Sequence, residues 1–160
     1  MTAAGLRTLA TPVLALLAIV AGAWLFWDAQ VRRGAEQAGA QALLSARESI
    51  PAILSYQSAT AEKDLPAAAQ DRLTGKFLAD YTQLITTVVV PEAKQKGVSA
   101  SAQVPAAAVV SADNARAVVL AYVNQSLTVG TAAPTQARSS VRVTMDNVDG
   151  RWLISGFDPI

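Results

Sequence analysis

The 160-residue chain contains no histidine and no cysteine. These absences exclude a Ser-His-Asp triad, a thiolate nucleophile and a zinc site built on His or Cys. They do not identify the compartment, since only the presence of cysteine would do so. An excess of either charge is also missing: 13 Lys and Arg stand against 12 Asp and Glu, a net charge of +1. With no basic stripe, no nucleic-acid partner is expected. There is no Gly-rich phosphate loop. Glu62 and Asp64 lack the context of a metal-binding loop. No cofactor and no metal ion are therefore expected.

What the chain does have is one long uncharged run. Between Arg7 and Asp28 lie twenty residues, "TLATPVLALLAIVAGAWLFW". At about 1.5 Å per residue they form a helix of roughly 30 Å, the thickness of a bilayer's hydrocarbon core. The span runs over residues 8–27, from Thr8 to Trp27, after a short tail at residues 1–7. Pro12 falls in the first turn, where its missing amide does little harm. Trp24 and Trp27 stand at the far end, where indole rings favour the headgroup region. Ala21-Gly22-Ala23 offers the alternative of a cleaved signal peptide, but "WLFW" carries the apolar run past that point. The flanking arginines do not settle orientation, because the positive-inside rule weakens when a long domain follows.

Residues 28–48 are polar and alanine-rich, and read as a juxtamembrane helix or linker. Gly34, Ala38 and Ala42 recur every fourth residue, as do Ala18 and Gly22 inside the span. Such spacing lets helix backbones approach closely, which suits a homo- or hetero-oligomer. In a chain this rich in alanine it also arises by chance.

Residues 49–160 form the predicted globular domain. Pro51 is expected to open a new helix over "SIPAILSYQ", followed by a turn at Ser58–Thr60. Asp64 is the expected N-cap of the next helix, and Gly75 its C-terminal stop. A third helix places Phe77, Tyr81, Leu84 and Val88 on one face, at spacings of 4, 3 and 4. Pro91 kinks or ends it, and Gly97 terminates the segment beyond Pro91.

Beyond Gly97 the period changes to two. Strands are expected at 98–110, 115–127, 137–148 and 151–157. Pro105 cannot donate to a central ladder, so the first is an edge strand. Asp149-Gly150 fits a two-residue type I′ turn. That turn pairs Asn147 with Trp152, Met145 with Ile154 and Val143 with Gly156. One face then carries Val141, Val143, Met145, Trp152 and Ile154; the other carries Arg142, Thr144, Asp146, Arg151 and Ser155. Beyond the anchor, helices laid on the apolar face of an antiparallel meander make an α+β domain of about 110 residues, enough to bury one core.

Without histidine, a general acid or base would have to be a carboxylate or a tyrosine. Asp146 is expected to lie beside Arg142 and Arg151 in a solvated ion-pair network. Asp80 and Tyr81 point about 100° apart on a helix. Asp71 precedes Arg72 on an exposed helix face. Asn124-Gln125-Ser126 matches a glycosylation sequon, but within a strand. No catalytic pair can be assembled, and no enzyme is expected.

Three stretches carry a resemblance: "LTGKFLADYTQL" at 73–84, "VVVPEAKQKGV" at 88–98 and "VRVTMDNVDGRWLISGF" at 141–157. With the short tail, the span and the Ala-rich helix, they resemble the mammalian-cell-entry (Mce) associated membrane proteins of actinobacteria. Gly75, Phe77, Tyr81, Pro91, Gly150 and Trp152 are the positions carried over. The resemblance implies a cone-like fold, with helices on a curved four-stranded sheet, as in the nuclear-transport-factor superfamily and in type IV secretion assembly factors. It implies a single-pass protein of the plasma membrane, with residues 1–7 a cytoplasmic tail and residues 49–160 an extracytoplasmic domain. Its role would be that of an accessory or stabilising subunit of a sterol or fatty-acid import system. Its partners would be that system's substrate-binding proteins and permease. A secretion-channel assembly factor and a small lipid-binding cone are the alternatives.

Overall fold

The computed structural model describes residues 30 and 32–160 in full, and residues 7–29 and 31 only as helical backbone. The predicted span at 8–27, with Thr8, Ala18, Gly22, Trp24 and Trp27, lies outside the fully described residues. Among those residues no helix is long and apolar enough to cross a membrane. The chain divides into two units, Met1–Ala35 and Glu36–Ile160. In the first, Gly34 is half-buried. The second holds the sheet and the hydrophobic core.

Among the described residues four α-helices precede four strands. Helix α1 spans Arg7–Leu54, α2 Ala61–Arg72, α3 Gly75–Leu84 and α4 Val90–Lys96. A π-helical turn, Ile85–Val89, joins α3 to α4. The strands are β1 Val98–Ala112, β2 Arg116–Val129, β3 Thr135–Val148 and β4 Arg151–Pro159. They form one antiparallel sheet in the order β1-β2-β3-β4, the expected meander. The α+β class, with helices on an open four-stranded sheet, is thus as the sequence patterning indicated.

Local chemistry explains the sheet. The Asp113 carboxylate accepts the amides of Ala115 and Arg116, both at 2.8 Å, and so fixes the β1–β2 turn. Asp149 (φ 52°) and Gly150 (φ 82°) supply the two positive angles of the β3–β4 turn. Pro105 lies on the edge strand, where the register slips between Gln103 and Ala106.

Both edges are partly closed by the chain itself. Tyr56 and Ala100 exchange backbone bonds of 2.8 and 2.9 Å, and the Ser55 hydroxyl accepts the Ala102 amide at 2.9 Å. On β4, the Ile154 carbonyl accepts the Thr74 amide at 2.9 Å. Pairing of this kind blunts edges that would otherwise recruit other strands.

One sheet face is the floor of the core. Val119, Val143 and Ile154 have no exposure, and Met145 has none either. Helix α1 lies over this floor with Ala38, Ala42, Ala46 and Ile50 buried at fourth-residue spacing. A Cβ added at Gly39 would come within 3.3 Å of the Ala112 Cβ. Small residues therefore bring helix and sheet unusually close. Ala38 and Ala42, expected to offer a helix-pairing stripe, are taken up by the chain's own sheet. A helix-to-helix seam and a helix-to-sheet seam need the same small side chains.

Other expectations need correction. Pro51 does not open a new helix, because α1 continues through it to Leu54. Near the helix end it costs one hydrogen bond, and burial of Ile50 and Ile53 holds the turn. Helix α2 begins at Ala61, not at Asp64, because Ala61, Leu65 and Ala69 together form its buried stripe. Gly75 opens α3 at φ +60° instead of ending α2, which Leu73 caps.

Leu84 and Val88 are 50% and 49% exposed, not core. In the π-turn the Val90 amide reaches back five residues to the Ile85 carbonyl. The extra residue rotates the later face, so that Ile85, Val89, Val90 and Ala93 pack inward. Pro91, which lacks an amide to continue the α ladder, sits just beyond it.

The hairpin register also departs near its end. Met145 faces Ile154 as expected, but Thr144 faces Gly156 and Val143 faces Phe157. Ser155 is the extra residue of a β-bulge. The bulge turns Phe157 to the inner side, where its ring stacks on Phe77 at 6.3 Å and 10°.

Candidate functional site

The residues singled out by the sequence build the interior. Trp152 is 5% exposed, and its carbonyl accepts the Ser45 hydroxyl at 2.7 Å, tying β4 to α1. Met145 and Ile154 are fully buried beside it. Tyr81 is buried, with its ring 6.1 Å from that of Phe77. Its hydroxyl donates to the Ile53 carbonyl in the last turn of α1, where no intrahelical donor is available. Gly75 and Gly150 are exposed, and hold positive φ at a helix start and a hairpin turn. Pro91 lies half-buried at the rim of a surface groove. The interior these residues share is a packed core.

The charged candidates separate from one another. Asp146 pairs with Arg116 across β2 and β3 at 2.7 Å, not with Arg142 or Arg151. The strand pairing puts Arg116 directly opposite Asp146, a neighbour the hairpin alone could not reveal. Arg151 instead reaches Asp71 on α2 at 2.6 Å, and Arg72 joins the same carboxylate at 2.8 Å. Glu62 pairs with Lys94 at 2.5 Å, and Asp80 with Lys76 at 2.5 Å. Among the described residues no group of three acidic side chains is placed to hold a metal ion.

Electrostatics follow this pattern. A hydrogen bond from the Arg116 guanidinium holds the Asp146 carboxyl below its ordinary range. The amides of Ala115 and Arg116 lower Asp113 in the same direction. Burial raises the phenols of Tyr56 and Tyr81. Both perturbed carboxylates are thus stabilised as anions, the opposite of what a general acid requires.

Two surface hollows stand out. One, of about 540 Å³, runs between α2 and α4 and is lined by Glu62, Pro66, Thr86, Val90, Pro91 and Lys94. The other, of about 420 Å³, lies on the outer sheet face among Tyr122, Asn124, Arg138, Ser139, Ser140 and Ile160. Of the second group the sequence singled out only Asn124, as part of a sequon. Their exposed face becomes visible only once β2 and β3 are paired.

An open meander carrying helices on one face has solved counterparts. The chain superposes on an IcmL-like type IV secretion system protein of Legionella pneumophila with a TM-score of 0.63. The match is 12% identical and covers 76% of this chain and 92% of that one. A periplasmic fragment of TraM matches with a TM-score of 0.59 at 11% identity, over 74% of this chain and 94% of the fragment. These likenesses define the fold class.

Sequence comparison is more specific. The chain is 52% identical over 145 residues to outer membrane protein Rv1973 of Mycobacterium tuberculosis, covering 90% of each. It is 39% identical over 157 residues to the uncharacterized protein Rv1362c of the same organism, over 92% of this chain and 70% of that one. No protein-family model matches. The chain belongs to the family of Rv1973 and Rv1362c.

Proposed function

We propose that this chain is a non-enzymatic accessory or stabilising subunit of an Mce-type lipid import system in the cell envelope. The observation that carries the reading is the packed interior. Phe77, Tyr81, Met145, Trp152 and Ile154, which lie within the resembling stretches, are spent on the core. What remains for function is the outer surface, so the domain acts by contact with other proteins. A small lipid-binding cone is disfavoured by the same packing.

The name of Rv1973 supports an envelope location. We place the anchor at residues 8–27 in the plasma membrane and residues 49–160 outside the cytoplasm. A run of twenty uncharged residues suits a helical span. The sheet is open, with its inner face covered by helices, and does not resemble a closed membrane barrel. The second reading, an assembly factor of a type IV secretion-like channel, draws on the shared fold with the IcmL-like protein.

Co-purification of the full-length chain from its own membranes separates the two. Recovery of Mce substrate-binding proteins and permease is the expected result. Recovery of secretion-channel components in their place would overturn the first reading in favour of the second.

A further inference from the structure

The sheet has a second face that no described helix covers. Its rows come from the strand pairing: Gln103–Asn124–Arg138, then Ala106–Tyr122–Ser140, then Ala108–Leu120–Arg142–Asp158. Tyr122 is 52% and Ile160 62% exposed, and the Ile160 amide is held by the Ser140 carbonyl at 3.0 Å. Apolar groups thus stand open to water in the middle of the face.

The charges on this face are unequal. Arg116 and Arg151 are neutralised by Asp146 and Asp71. Arg138 and Arg142 are exposed and make no ion pair among the described residues. Asp158 lies opposite Arg142 in the register, whereas Arg138 faces the neutral Asn124. A guanidinium presents a planar fork of donors that matches a carboxylate.

We propose that this face, centred on Tyr122, Arg138 and Arg142, docks an acidic segment of another protein. Carboxylates of the partner meet Arg138 and Arg142, and an apolar side chain covers Tyr122 and Ile160. This extends the contact role proposed above to a particular surface. A shallow open hollow of about 420 Å³ does not enclose a lipid tail, whereas a partner surface brings its own cover. Four strands at about 4.8 Å spacing and about eight residues of length give a patch of roughly 500 Å². That is below the roughly 800 Å² per partner of a standard interface, so the contact is a reversible one that depends on charge.

The test uses the full-length chain in the membranes of its native host, with Tyr122→p-benzoylphenylalanine as the photocrosslinking probe. The expected product is an adduct to another protein, joined within a few residues of an Asp or Glu. Its yield should fall about tenfold or more in Arg138→Glu/Arg142→Glu. A partner carrying the matching Glu→Arg change should restore it. The milder Arg138→Gln/Arg142→Gln pair, which introduces no new charge, should give an intermediate loss. An adduct to lipid, an adduct to a second copy of this chain, or a yield indifferent to both charge variants would overturn the proposal. The partner's identity reports separately on the Mce reading. An acidic partner from outside that system would sink the Mce reading and leave the docking face standing.

Discussion

Tyr81→Phe should destabilise the domain at neutral pH, and the difference should shrink in alkali. The ring packs against Phe77, and a phenylalanine keeps that contact. What goes is the hydroxyl's bond to the Ile53 carbonyl, which then lies buried without a donor at the end of α1. Losing a buried hydrogen bond and stranding its acceptor costs about 1–3 kcal/mol. At about 2 kcal/mol, a domain of this size melts roughly 8 °C lower.

The alkaline limb has a definite sign. Burial holds the Tyr81 phenol above the ordinary tyrosine value. The folded chain therefore keeps a proton that the unfolded chain releases above about pH 10. Tyr81's contribution is complete below that pH and is lost as pH rises further. Between pH 9 and pH 11 the wild type should lose up to about 1.4 kcal/mol through this one group. Tyr56, also raised by burial, adds its charge to the upward shift of Tyr81, so the difference between the two proteins reads the two phenols together. Urea unfolding of the full-length chain in detergent, followed by tryptophan fluorescence at pH 7, 9, 10 and 11, measures the gap. A gap that stays constant across this range would refute the assignment of the buried phenol.

Trp152→Ala should cost about 3–5 kcal/mol in urea unfolding followed by far-ultraviolet circular dichroism, because the indole fills the floor beneath α1. Gly39→Leu should cost about 1–3 kcal/mol, since even a Cβ there meets the Ala112 Cβ at 3.3 Å; a neutral result would mean that α1 and the sheet are not in close contact. Ser111→Cys gives the chain a single, exposed thiol. It should react with an impermeant maleimide in intact cells once cell-wall access is confirmed, and reaction only after lysis would reverse the proposed orientation.

The sheet was legible because alternation and one turn constrain each other. Asp149-Gly150 fixed the first pairs of the hairpin, and Met145 opposite Ile154 came from them. The bulge at Ser155 escaped, although the sequence held a sign of it. Apolar residues stand at 152, 154 and 157, and the last step is odd. In the helices the hidden feature was the π-turn. The β-branched stretch before Pro91 signals strain, but not which way the face rotates. The small-residue stripe of Ala38 and Ala42 was visible, while its partner was not, because periodicity names a close approach without naming the surface approached. The outer-face arginines needed the β2–β3 register before they could be seen as neighbours of Tyr122.

The most direct test is lipid uptake by the native host. Cells lacking the chain should take up less labelled sterol or fatty acid, and their Mce substrate-binding proteins should fall in abundance. Re-expressed wild type should restore both, while Arg138→Glu/Arg142→Glu should restore neither despite a normal folded level. Unchanged uptake with Mce proteins at full abundance in the deleted cells would contradict the account.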